Sequence, residues 1–307
     1  MTASARESGS DPNTIWTIAR VLAWAAEDLG RRGLTDSPRL DAELLLGHVL
    51  NADRVKLIVD SQRPLQPDEL GRFKQMLLRR RKAEPIAYIL GRREFYGLDF
   101  TVDPNVLIPR PSTETLVEVA LRRSAPRHMF GRLLDVCTGS GCVAICFARE
   151  RPTWRVVGSD VSEGALAVAR RNAQRLGAIW NVSFRHSDLL AAFGSERFEL
   201  ITANPPYIPD AEIATLAPDI QKFEPRGALA GGADGLDLLR RLIDAAPKHL
   251  TPGGVLALEI GAGQAPDIER ALARAGYIEL QRERDYDGIE RIVSGRTPPA
   301  PDRTPGA

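Results

Sequence analysis

The sequence predicts an α/β fold: a mostly parallel sheet covered by helices on both faces, closed by a C-terminal antiparallel hairpin and preceded by a small helical domain. Three observations carry that prediction. Apolar residues recur at helical spacing, without strand signals, up to about residue 90. From residue 131 short Val/Leu/Ile runs alternate with helical stretches, the mark of a parallel sheet buried on both faces. Last, "YIELQRERDY" and "GIERIVSGR" are separated by the turn-forming pair Asp287-Gly288, which makes them a hairpin on the sheet edge.

Taken in order, residues 1–13 are polar and residues 297–307 are Pro-rich, so both are expected to be disordered tails. Residues 14–90 form the helical domain. In "TIWTIARVLAWAAEDLG", Ile15, Ile18, Val21, Leu22 and Ala25 share one face, and Gly30 is placed to stop the run. "DSPRLDAELLLGHVL" opens with Ser37 before Pro38, a favoured N-cap and first-turn pair. "PDELGRFKQMLLRRRKAEP" gives a third helix with Phe73, Met76 and Leu77 on one side, and the "RRRK" run at 79–82 reads as its solvated end. Residues 91–110 read as a hairpin around Gly97 and a Pro-bracketed linker, and residues 111–296 as the sheet domain. Its strands are "RLLDVC", "WRVVGSD", "VSFRHSD", "FELITAN" and "GGVLALEIG" before the hairpin; its helices include "EGALAVARRNAQRLG", "DGLDLLRRLIDAAPKHL" and "APDIERALARAG".

Composition narrows the function. The 307 residues suffice for one large or two ordinary domains. Lys plus Arg number 41 against 40 Asp plus Glu, a net charge of +1, which disfavours a partner bound through phosphate neutralisation. The three cysteines, Cys137, Cys142 and Cys146, lie in "CTGSGCVAIC" without C-x-x-C spacing or a second pair, and the histidines are scattered, so no metal site is expected. They are expected instead as small, half-buried thiols in a reducing compartment. No run approaches membrane-spanning length and no early apolar stretch follows a basic start, which points to the cytoplasm.

"LLDVCTGSGCVAI" is a strand, a tight glycine loop and a helix start, and Gly139-x-Gly141-x-x-Ala144 meets the nucleotide fingerprint. Asp160 ends the next strand, where an acid takes both ribose hydroxyls of an adenosine; it could equally cap the helix after Val161. Asp188 ends the third strand, placed to meet an adenine amino group. NAD and S-adenosylmethionine both suit such an edge. A dinucleotide-binding Rossmann sheet is usually parallel throughout, so the hairpin favours a Rossmann-like methyltransferase sheet. Asp135, just before the loop, repels pyrophosphate and suits a cofactor carrying ammonium and sulfonium groups, so S-adenosylmethionine is the expected cofactor.

"NPPY", Asn204 to Tyr207, follows the fourth strand. A planar –NH2 is a poor nucleophile because its lone pair is delocalised. The Asn204 side-chain carbonyl and the Pro205 backbone carbonyl can accept both of its hydrogens, fixing the nitrogen and raising its electron density. Pro205 and Pro206 stiffen that turn, and Tyr207 can pack over the planar group. With "TGSG" after the first strand, this pattern resembles the amino-methyltransferases.

The whole chain resembles the peptide chain release factor glutamine methyltransferases (the PrmC/HemK family), through "SPRLDAELLLGHVL", "EPIAYILGRREFYGLDFTVDPNVLIPRPSTE", "NPPYIP", "EPRGALAGGADGLDLLRRLI", "GGVLALEIGAGQ" and "DYDGIERIVSGR", over residues 14–296. The resemblance implies a helical domain that recognises the release factor. It also implies methyl transfer from S-adenosylmethionine to the side-chain amide nitrogen, N5, of the glutamine in the factor's Gly-Gly-Gln motif. It carries cofactor binding onto Cys137, Thr138, Gly139, Ser140, Gly141, Asp160, Asp188 and Leu189, with Asn204 beside them. The glutamine clamp falls on Asn204, Pro205, Pro206 and Tyr207, of which Asn204, Pro205 and Tyr207 are the expected catalytic residues. No nucleic acid or membrane partner is implied. Three positions depart from the family pattern: Cys137 where Gly is more frequent, Ser112 where Glu is usual, and Leu189 where an aromatic is frequent. Two alternatives stay open on the motifs alone. One is a glutamine methyltransferase of a large-subunit ribosomal protein; the other is a nucleic-acid enzyme acting on adenine N6 or guanine N2, which would need a groove to hold a flipped base.

Overall fold

In the computed structural model, residues 15–126 and 129–300 are described; the expected tail at 1–13 and positions 301–307 lie outside them. The chain divides into two compact units at Leu90.

The first unit is helical. Helix α1 (Ile18–Arg32) is capped by Thr17, whose hydroxyl accepts from the Arg20 amide. It runs past Gly30, contrary to the expected stop, and ends where Gly33 takes a left-handed φ of 62°. Ile15 precedes the cap and is exposed, so it is not part of the apolar face. Helix α2 (Pro38–Leu50) starts after Ser37, but the Ser37 side chain makes no capping bond; Pro38 at the first position sets the start instead. Two short helices, α3 (Arg54–Val59) and α5 (Ile86–Leu90), flank α4 (Pro67–Arg80), and at five or six residues they are too short to leave a periodic signal. Ile18, Val21, Leu22, Leu45, Leu46 and Phe73 are among the side chains of its core.

The "RRRK" run is not simply a solvated end. Arg79, though exposed, pairs with Glu84; Arg80 is buried against Asp41 at 2.8 Å; and Arg81 grips both oxygens of Asp28 at 2.8 and 2.9 Å. Lys82 stays exposed. A buried charge is tolerated when it is paired and hydrogen-bonded, and Arg80 also donates to the carbonyls of Leu34 and Glu84.

The second unit opens with a hairpin of β1 (Arg92–Phe95) and β2 (Leu98–Thr101). Tyr96 and Gly97 both have positive φ, 53° and 71°, as a two-residue turn of the twist-matching kind requires. Helix α6 (Pro111–Arg123) leads to β3 (Arg132–Val136). Then follow α7 (Cys142–Glu150), β4 (Arg155–Asp160), α8 (Glu163–Arg175) and β5 (Val182–His186). After β6 (Phe198–Ala203) come α9 (Pro218–Phe223), α10 (Asp237–Ala245), β7 (Leu250–Glu259) and α11 (Ala265–Arg274). The hairpin strands β8 (Ile278–Arg284) and β9 (Glu290–Arg296) close the sheet. Thr297 donates its amide to Gly254, and Pro298 accepts from Gly253, so the ordered chain runs on past the start of the expected C-terminal tail.

The seven-stranded sheet has the order β5-β4-β3-β6-β7-β9-β8. Its first five strands are parallel, while β9 runs antiparallel to β7 and β8 to β9, as the hairpin reading predicts. Side chains alternate between two cores. Leu133, Leu200, Val255 and Ile292 face one with α6 and α7; Leu134, Ile201, Leu256 and Val293 face the other with α10 and α11. Because both faces are covered, polar side chains reach a ligand only at the strand ends, and four parallel strands leave theirs along one carboxyl edge.

Candidate active site

The glycine loop at the end of β3 turns three times through left-handed backbone: Cys137 at φ 57°, Gly139 at 55° and Gly141 at 80°. A Cβ costs about 1–2 kcal/mol in that region, which is the physical reason glycine suits the position Cys137 occupies. Gly141 is the N-cap residue of α7 and faces Ile145, Ala169 and Phe184, whereas the space a side chain would take at Gly139 is open.

Four carboxylates act around this loop. Asp135, on β3, accepts from the Thr202 hydroxyl at 2.8 Å and from the Thr138 hydroxyl at 2.6 Å; burial pushes its pKa up to about 6. Asp160, at the end of β4, accepts from the Gly139 amide at 3.0 Å and the Ser162 amide at 2.9 Å. It therefore ties two strand-end loops together. It does not cap α8, because Ser162 does so, accepting from the Ala165 amide at 3.2 Å. Burial raises its pKa too, against those two amide bonds. Asp188 is more open and pairs through Oδ2 with Arg241 at 2.8 Å, while its neighbour Leu189 is held at φ 48°. Glu259, at the end of β7, is fully buried, and burial pushes it up to about 7.

A cavity of about 310 Å³ opens on this edge. Every cofactor residue expected above lines it except Gly141, and Asn204 and Pro206 line its far side; Pro205 and Tyr207 do not. Its wall carries Asp135, Asp160 and Asp188 against one cation, Arg110; Arg110 is engaged by the buried Glu224 at 2.5 Å and Asp188 by Arg241 at 2.8 Å, which leaves Asp135 and Asp160 to set the sign. The wall is thus net acidic, the right sign for a ligand with positive charge and the wrong one for a pyrophosphate.

Asn204 follows β6 directly and donates its side-chain amide to the Thr113 hydroxyl at 3.2 Å. Among the described residues, neither its Oδ1 nor the Pro205 carbonyl is engaged. The turn after it is braced from behind. Gln264 accepts from the Gly261 amide at 2.8 Å and donates to the Tyr207 carbonyl at 2.9 Å. A Cβ on Gly235 would stand 2.2 Å from that same carbonyl, and one on Gly231 2.8 Å from the Pro206 carbonyl. Ile208 pairs with Ala230 in a short bridge, which secures the same segment. Tyr207 packs against the core beside α10 and α11, and burial pushes its phenol up to about 12.

Sequence reasoning missed the second wall of the cavity: Val106, Pro109, Arg110 and Thr113 before and within α6, and Gly227 and Ala228 beyond α9. The available signal was the density of proline and polar residues in "DPNVLIPRPST", which a mere linker does not need.

The PrmC N-terminal domain model matches residues 20–91, and the Methyltransferase small domain model matches residues 111–220. A release factor glutamine methyltransferase of Geobacter sulfurreducens is 46% identical over 92% of this chain and 97% of its own. One from Salmonella typhimurium is 41% identical over 90% of this chain and 98% of its own. Among solved structures, the hMettl16 catalytic domain in complex with MAT2A 3'UTR hairpin 6 superposes at a TM-score of 0.53, covering 77% of this chain and 84% of that one. At 14% identity it speaks for the fold alone. With relatives this similar along nearly their whole length, and a family model on each of its two units, the chain belongs to the release factor glutamine methyltransferase family.

Proposed function

We propose that this chain transfers a methyl group from S-adenosylmethionine to the side-chain amide nitrogen of the glutamine in the Gly-Gly-Gln motif of peptide chain release factors, and so acts on translation termination in the cytoplasm. The observation that carries the reading is Asn204: its –NH2 is tied back to Thr113, so an unengaged carbonyl oxygen is left on the wall of an acidic cavity.

The residues present fit the cofactor. The open space over Gly139 admits a ligand against the backbone, and the acidic wall favours an ammonium and a sulfonium. Asp160 keeps a lone pair on each oxygen after its two amide bonds, enough to take two ribose hydroxyls. Asp188 retains Oδ1 for a donor such as an adenine amino group. When bound, the cofactor supplies an electrophilic methyl on a positively charged sulfur.

The remaining work is the protein's. An amide nitrogen cannot be deprotonated by any group here, so it has to be aimed instead. Asn204 Oδ1 takes one hydrogen of the target –NH2, and the Pro205 carbonyl is the candidate for the other. Drawing on both hydrogens pushes electron density onto the nitrogen and fixes its lone pair toward the reacting carbon. As the S–CH3 bond breaks and the N–CH3 bond forms, the nitrogen gives up one proton to solvent water, along an N–H bond that already points at these acceptors. A bound base would meet the same clamp, but the net charge of +1 and the acidic wall offer nothing to grip a nucleic-acid backbone. The helical unit, which carries the match to the PrmC N-terminal domain, is the proposed reader of the protein partner.

The test is mass spectrometry of purified release factors incubated with the enzyme and S-adenosylmethionine. A single added methyl on the glutamine of the Gly-Gly-Gln peptide is expected; an unmodified glutamine, or methylation of a ribosomal protein or nucleic acid instead, refutes the reading.

A further inference from the structure

Between Pro209 and Ala228 the chain runs out from the end of β6 and returns, and little holds it down. It carries α9 and short 3-10 turns at 213–215 and 226–228. Of these residues Glu224 alone is buried, and none belongs to either core of the sheet domain. Its internal hydrogen bonds are local, as from the Gln221 side chain to the carbonyls of Ile213 and Ala214.

The base of this excursion is fixed. Ile208 bridges Ala230, the Ile208 amide donates to Leu229 at 3.1 Å, and the Asp210 amide donates to Gly232 at 2.9 Å. The far end is tied by a contact of another kind: Arg110 Nη2 donates to Glu224 Oε1 at 2.5 Å. Arg110 is the N-cap residue of α6 and stands between Pro109 and Pro111, so the receiving end is stiff. Pro225, Gly227 and Ala228, just after Glu224, are wall of the cavity, as are Pro109 and Arg110. The place of Glu224 therefore sets that wall.

We propose that residues 211–228 are a lid on the cavity and that Glu224 is the positioning residue that latches it through Arg110, so that this ion pair governs how fast the cofactor enters and leaves. The identity of the ligand rests on the S-adenosylmethionine reading above; the lid itself does not. The energetics suit a latch better than a permanent joint. A buried ion pair loses in desolvation much of what it gains in attraction. Glu224 Oε2 has no hydrogen-bond partner, so the burial of this carboxylate is only partly compensated. Opening returns both charges to water and uncovers little apolar surface, because the one buried residue of the segment is the charged one. Closed and open states are then separated by little more than one charge-assisted hydrogen bond. The clamp at 204–207 stays out of the motion, since Gln264 holds the Tyr207 carbonyl at 2.9 Å from behind.

The test uses the full-length enzyme and two readouts. Without ligand, trypsin should cleave after the exposed Lys222 and Arg226 at least ~10-fold faster in Glu224→Ala than in the wild type, with sites outside the lid unchanged. Arg110→Met should do the same, and the double variant should be no faster than either single one, because all three lack the same bond. With ligand, stopped-flow binding of S-adenosylhomocysteine to Glu224→Ala should be at least ~10-fold faster in both directions, with Kd changed far less than either rate. A group that merely touched the ligand would change release and affinity together, and one that merely supported the fold would open every cleavage site alike. Cleavage at the two lid sites no faster than in the wild type, a general rise in cleavage, additive effects of the two substitutions, or faster release without faster entry each overturns the proposal. A wild-type enzyme that binds no S-adenosylhomocysteine refutes the cofactor reading alone, since cleavage is read without ligand.

Discussion

Replacing Glu259 by Gln should make the protein more stable at pH 8 than at pH 5, relative to the wild type. The carboxyl has an ordinary pKa of 4.5 and is pushed up to about 7 by burial. Because the folded state holds the proton more tightly than the unfolded chain, stability is lost as pH rises between those two values. At about 1.4 kcal/mol per pH unit, that rise corresponds to about 3 kcal/mol of strain at pH 8 that is absent at pH 4. Glutamine has nearly the same shape, carries no charge, and can use the hydroxyl of Ser112. The assay is urea unfolding of the wild type and the variant at pH 5 and pH 8. Other buried acids such as Asp135 titrate in both proteins and cancel in the difference. The advantage of the variant is expected to grow by about 2.5 kcal/mol from the lower pH to the higher, or roughly 5–10 °C in Tm for a unit of this size. An advantage that is equal at the two pH values refutes the account of Glu259 as a carboxylate held charged against its burial.

Asn204→Ala should lower turnover at least ~10²-fold and leave most of the cofactor affinity, as measured by calorimetry beside single-turnover rates; near-wild-type turnover removes the clamp. Asp160→Ala should weaken S-adenosylmethionine binding by about 1–3 kcal/mol, and unchanged affinity in the same titration would leave Asp160 only its two loop bonds. Gly235→Ala places a methyl 2.2 Å from the Tyr207 carbonyl on backbone at φ 78°, so it should cost about 2–4 kcal/mol by thermal melting and slow turnover as well. A silent Gly235→Ala would show that the turn is not braced from behind.

What the sequence reveals of this protein follows from how far apart the interacting residues lie. The five parallel strands are legible because strands buried on both faces read as uninterrupted Val/Leu/Ile runs, as in "LLDV" and "LALE". The loop at 137–141 is legible because left-handed backbone needs glycine within a few residues of the strand it ends. Partnerships across the fold leave no such trace. "RRRK" looks like a solvated run because nothing local shows that Asp28 and Asp41, some 40–50 residues earlier, wait to receive Arg81 and Arg80. Arg110 and Glu224 meet across 114 residues, and whether Ile15 joins the apolar face of α1 or stays exposed ahead of the Thr17 cap is a matter that only packing decides. Glu259 is half-legible: one acid in the run "VLALEI" is a warning, but the strand pattern alone cannot say what it faces.

Two buried carboxyls pushed toward neutrality can be told apart in one experiment. Asp135 lies on the cavity wall and is pushed up to about 6, and Glu259, which does not line the cavity, is pushed up to about 7. A cationic ligand bound beside Asp135 holds its charge and drags its pKa down, so in the complex that group stays ionised well below 6. Glu259 has no such contact and keeps its value whether the cavity is filled or empty. Since kcat/KM reports the free enzyme and kcat the complex, kcat/KM for the cofactor should fall on the acid side through Asp135, near pH 6. That limb should be much weaker in kcat, where the bound cation keeps Asp135 ionised, and Glu259→Gln should leave it in place in kcat/KM. An acid limb in kcat as steep as the one in kcat/KM would mean that the charge of Asp135 does more than hold the cofactor.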